Sequence, residues 1–131
     1  MTTLPKNPVE IDLHVGDDTP NSADLSCRCT QNGMVVEPIK VYEKTKKEDG
    51  LKFRLRNRAY DFVGFLSPQD RKHDCFEVKQ IMRDDDDYSV MTVADKFCPT
   101  ESLFDYELVF RDNKKHQGNL YRYDPQIKNE N

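Results

Sequence analysis

Apolar and polar residues alternate with a period of two along much of the chain. Val9, Ile11, Leu13 and Val15 are separated by Glu10, Asp12 and His14, the mark of a strand with one buried and one wet face. Leu51, Phe53 and Leu55 alternate in the same way with Lys52, Arg54 and Arg56, and Phe104, Tyr106, Leu108 and Phe110 share one face of a further strand. Asn32-Gly33 joins residues 25–31 to 34–37. That dipeptide predicts a type I′ hairpin, because both central residues need positive φ. Pro38 has no N–H to donate, so the return strand is expected to pause or to lie at an edge there. Asp49-Gly50 suggests a second tight turn, and Asn57-Arg58 breaks the strand that follows it.

Residues 60–66 form a mostly apolar strand, interrupted by Asp61 and Gly64 and ended by Ser67-Pro68. Residues 76–82 are apolar at Phe76, Val78, Ile81 and Met82, which fits a strand with a bulge or a short helix. Asp84 to Asp87 predict a solvated turn, residues 88–93 and 120–123 two more strands, and 113–118 a polar turn. Asp124-Pro125 then stops the last strand and leaves a loose tail. Residues 1–8, with Pro5 and Pro8, read as a disordered tail, and 9–129 as a single domain. About eight short strands at regular spacing, with no sustained helical period, predict an all-β fold, a two-sheet sandwich.

Size and charge fit this picture. The chain has 131 residues, enough for one domain with a modest core. It is 36% hydrophobic and 34% charged, but its 7 Phe and 6 Tyr can fill a core. The net charge of −4 argues against nucleic-acid binding, which needs a concentrated basic surface. The nearest basic groups are Lys44, Lys46 and Lys47, then Lys52, Arg54, Arg56 and Arg58, and the second group reads as the wet face of a strand. No stretch approaches the ~20 apolar residues of a membrane span, and no apolar signal core follows Met1. The expected location is cytoplasmic, with the 4 Cys as thiols.

Candidate chemistry centres on the cysteines. Cys27 and Cys29 are two apart on a predicted strand and so share a face. Cys75 follows His73-Asp74, and Cys98 lies in or beside a loop. Cys27, Cys29, His73 and Cys75 are the weak metal-ligand candidates. C-x-C on an extended strand brings two thiolates to one ion less well than a C-x2-C knuckle does. A Cys75–Cys98 disulfide is the alternative in an oxidising compartment. Semi-buried thiols are the simplest reading. A blue-copper site fails on spacing, because Cys98 is followed by a distant His116 with no Met after it. A calcium loop counted from Asp84 puts Ser89 and Asp95 where Gly and Glu belong. His14, His73 and His116 all sit in polar surroundings. There is no G-x-S-x-G elbow, Walker loop or G-x-G-x-x-G, so no catalytic residue and no cofactor is assigned.

The chain resembles the DP-EP family of small bacterial domains, named for Asp-Pro and Glu-Pro dipeptides. Three places carry the resemblance, all within residues 9–129. The first is residues 51–66, where a hydrophobic strand runs into Phe62-Val63-Gly64-Phe65 and then a Pro. The second is the Asp-rich turn with residues 88–93. The third is the closing strand into Asp124-Pro125-Gln126-Ile127-Lys128-Asn129. The chain's Glu-Pro, Glu37-Pro38, lies well upstream of its Asp-Pro. The resemblance implies an immunoglobulin-like sandwich of antiparallel strands and brings no catalytic residues with it. The expected function is a non-enzymatic binding or assembly module, meeting a protein partner or a second copy through its edge strands. The alternative is a metal- or small-ligand-binding sandwich that uses its Cys and His side chains.

Overall fold

The computed structural model describes residues 4–6, 8–15, 27–36, 39–42, 50–66, 76–95, 103–114, 118–123 and 126–130. They form twelve strands: β1 (Val9–Val15), β2 (Cys27–Gln31), β3 (Met34–Val35), β4 (Ile39–Tyr42), β5 (Gly50–Leu55), β6 (Tyr60–Leu66), β7 (Phe76–Arg83), β8 (Ser89–Asp95), β9 (Leu103–Asp105), β10 (Glu107–Asp112), β11 (Leu120–Tyr123) and β12 (Gln126–Glu130). Among these residues no helix is long and apolar enough to cross a membrane.

Six strands make one sheet in the order β3-β2-β1-β5-β8-β7. Three more, β11-β10-β6, form a second sheet, and β4-β12-β9 form a further set of three. This last set extends the second layer. Leu108 faces Tyr123 and Asp105 faces Gln126, three residues back on one strand and three on along the other. The register is therefore unchanged across the break, and β9–β10 and β11–β12 are one ribbon interrupted at Tyr106. The expected loose tail is corrected here: Gln126–Glu130 is a strand, bonded to β9 on one side and to β4 on the other.

The expectation of antiparallel strands throughout is also corrected. β1 pairs with β5 in parallel, and so does β4 with β12. Parallel neighbours need a crossover. Here the chain leaves the first sheet after β3, passes through the second layer as β4, and returns as β5 running in the same direction as β1. The pairing sets Ile11 beside Phe53 and Leu13 beside Leu55, so two alternating apolar faces merge into one.

Both layers contribute to a single core. Val9, Ile11, Leu13, Leu51, Phe53, Leu55, Met91 and Val93 come from the first sheet, and Tyr60, Phe62, Leu108, Phe110 and Tyr121 from the second. Phe53 spans the gap, its ring centroid 6.4 Å from that of Phe62 and 6.1 Å from that of Tyr106. Such offset aromatic pairs add to the area they bury.

Two bulges set the phase. Val109 faces Gly64 but Phe110 faces Phe62, so Val63 is an extra residue. Inward positions on β6 therefore run Tyr60, Phe62 and then Phe65, which packs on Phe76 and Tyr106. On β7 the register shifts between Val78 and Gln80, making Lys79 the extra residue and Phe76, Val78 and Ile81 the core-side set. Residues 76–83 are thus a bulged strand, not a short helix. Asn32 (φ 53) and Gly33 (φ 80) have the left-handed conformations that the hairpin demands. Gly50 opens β5 opposite Ala94 and makes no turn. A Cβ there would lie 2.2 Å from the Val93 carbonyl oxygen, so only glycine permits this approach. Asp49 lies outside the described residues.

Candidate functional site

The outer face of the six-stranded sheet is built from lateral rows of side chains fixed by register. One row runs Glu10, Lys52, Thr92, Gln80, and the next Thr30, Asp12, Arg54, Val90, Met82. A third begins with the cross-strand pair Arg28 and His14. It continues to Arg56, whose amide donates to the Leu13 carbonyl, and then to Tyr88, whose carbonyl accepts from the Asp84 amide. A groove of about 1330 Å³ lies over the first two rows, walled by Leu4 and Pro5 and floored by Val90 and Thr92.

Tyr88 is the focus of the third row. The guanidinium carbons of Arg54, Arg56 and Arg58 lie 4.8, 4.7 and 4.4 Å from its ring centroid. Arg56 is its lateral neighbour, Arg54 lies one pleat back on β5, and Arg58 reaches the ring from the turn that follows β5. The negative face of the ring attracts each cation. The aspartate turn then supplies counter-charge. Arg54 sits 2.5 Å from Asp84 Oδ2 and 2.6 Å from Asp86 Oδ2, and Arg58 Nε donates to the Asp86 carbonyl at 2.9 Å. Asp84 Oδ1 accepts the amides of Asp86 and Tyr88. Desolvation pushes the Asp84 carboxyl up, but the Tyr88 amide and Arg54 outweigh it and hold the group below its ordinary value. Asp85, Asp86 and Asp87 are exposed, as expected of a solvated turn, while Asp84 is half-buried and committed to Arg54 and backbone amides.

Arg83 ties three turns together at this end of the sandwich. It bonds to Asp61 on β6, to the Asp87 carbonyl and, at 3.4 Å, to the Arg58 carbonyl. Asp61 in turn accepts from Asn113 Nδ2 at 2.8 Å. The basic strand 52–58 was legible as a wet face. Its convergence on Tyr88 was not, because that depends on the distant pairing of Arg54 with Val90.

The cysteines lie elsewhere. Cys27 and Cys29 share a face, as their spacing predicts, and that face points into the core: Cys29 is buried and Cys27 half-buried. The Cys29 thiol donates to the Tyr123 hydroxyl at 3.9 Å. Burial, then the neighbouring Cys29, pushes the Cys27 thiol up to about 12, far from a thiolate at neutral pH. The fully buried Tyr106 has a hydroxyl with no hydrogen bond among the described residues, and burial drives its phenol well above its ordinary value. His73, Cys75, Cys98 and His116 lie outside the described residues, so the structure brings together only two of the four metal candidates. Among the described residues no three His, Cys, Asp or Glu side chains are grouped to hold a metal ion.

Compared with known protein families and with curated proteins, the chain matches none.

Proposed function

We propose that this chain is a non-enzymatic assembly module whose β6–β7 edge joins a second copy of itself. One observation supports the reading above others. Of the nine large hydrophobic residues exposed among the described residues, five lie on β6 and β7: Val63 (46%), Leu66 (54%), Val78 (36%), Ile81 (40%) and Met82 (48%). These are outermost strands of the two sheets and lie next to each other across the sandwich. Val78 and Ile81 lie on the core side of β7 and Met82 on its outer face, an apolar band that wraps the unpaired edge, and such an edge is how a protein interface presents itself.

A second copy fits the band by symmetry. The bulge at Lys79 places Val78 and Ile81 on the same face. A copy of β7 laid antiparallel then sets Val78 opposite Ile81 twice, as a two-fold interface requires. Pairing β7 with its own copy uses up that edge on both chains, which favours a closed dimer.

We read the sandwich as immunoglobulin-like and akin to the DP-EP family on its three motifs, with a mixed first sheet as its departure from that scheme. The setting we infer is cytoplasmic, consistent with inert, core-facing thiols at Cys27 and Cys29. The metal-binding alternative gains nothing from that orientation.

Light scattering across a concentration series tests the proposal, using the wild type and Ile81→Lys. The expected result is a dimer that becomes a folded monomer in the variant. A wild-type chain that stays monomeric at high concentration, or a variant that dimerises equally well, overturns it.

A further inference from the structure

The third row of the outer face holds a charge imbalance that the other rows lack. Lys52 pairs with Glu10 at 3.7 Å, and Arg54 pairs with Asp84 and Asp86. Arg28 and Arg56 have no carboxylate partner among the described residues, yet they flank His14 on adjacent strands. Two strand spacings set their backbones about 10 Å apart, within the joint reach of two arginine side chains. His14 Nε2 lies 2.9 Å from Thr30 Oγ1, which leaves Nδ1 without a hydrogen bond among the described residues. The Arg56 guanidinium also lies over the Tyr88 ring, 4.7 Å from its centroid.

We propose that Arg28, His14 and Arg56 form a binding site for a dianionic tetrahedral oxyanion, inorganic phosphate or the phosphate group of a small monoester. Guanidinium forks match such oxygens in geometry and charge, and the imidazole adds a donor once protonated. The site is independent of the β6–β7 edge. Without an anion, burial lowers the His14 pKa, Arg28 and Arg56 lower it further, and Asp12 on the same strand opposes them. A bound dianion reverses the effect of the arginines.

NMR of the histidine side chains, with inorganic phosphate and methyl phosphate titrated separately at constant ionic strength, tests the assignment. Saturable shifts at His14 are expected, together with a rise in its pKa when loaded. Arg28→Gln and Arg56→Gln are each expected to weaken binding about tenfold or more, the loss of one charge-assisted bond. Both side chains are exposed, so the variants keep the fold. Tighter binding of the ester assigns the site to a phosphorylated ligand, and tighter binding of the free ion assigns it to phosphate. No saturation, a response equalled by chloride, or unchanged affinity in both variants overturns the proposal.

Discussion

Tyr88 gathers three guanidinium groups because it lies laterally beside Arg56, with Arg54 one pleat back on β5 and Arg58 on the turn that follows. The aspartate turn offsets part of the repulsion among the cations by pairing with Arg54, and Asp84 matters most in it, binding Arg54 and two backbone amides at once. Its pKa falls below the ordinary 3.8 on folding. The unfolded chain therefore binds the proton more readily, and stability rises with pH across that range. The contribution from Asp84 is complete above the unfolded value and disappears as pH falls through the folded one. Urea melts of wild type and Asp84→Asn between pH 3 and pH 7 check this. The variant is expected to be less stable at neutral pH, with the difference closing below about pH 4.

At the scale of elements, close approach and register decide more than local propensity. Gly50 is the sharpest case, since a methyl group there meets the Val93 carbonyl across the β5–β8 pair. Gly50→Ala is expected to cost about 1–3 kcal/mol by forcing the strands apart, measured by denaturant unfolding. The same residue shows where sequence reading stops. Asp-Gly signals a turn locally, but the need for a residue without a Cβ comes from a strand more than forty positions away. The alternating strands β1, β5 and β10 were legible because each buries one face, and Asn32-Gly33 because its turn chemistry is local. The spacing Phe76, Val78, Ile81 fitted a bulged strand or a short helix, and pairing with β8 decides for the bulge. Tyr60, Phe62, Phe65 carried the same signal on β6, although Gly64 masked it. β12 was hidden because its polar residues show no alternation, and its pairing comes from two distant neighbours. Among site residues, Cys27 and Cys29 were correctly placed on one face, but nothing in their spacing reveals that the face points inward. The row from Arg28 to Tyr88 appears only once four strands are in register.

Across the whole molecule, the two sheets share one core, and the turns at one end are bound together through Arg83, Asp61 and Asn113. The opposite requirement holds at the β6–β7 edge, where apolar side chains remain in water. The other edge of the six-stranded sheet, β3, has only two residues and offers little to pair with. The asymmetry between a short edge and an eight-residue edge adds to the exposed apolar side chains as grounds for proposing assembly at β7. Hydrogen exchange at low and high protein concentration tests that assignment most directly, because both edges report within one molecule. The account predicts that amides of β7 gain protection as concentration rises while those of β3 do not. Equal behaviour of the two edges, or no change at β7, would contradict it.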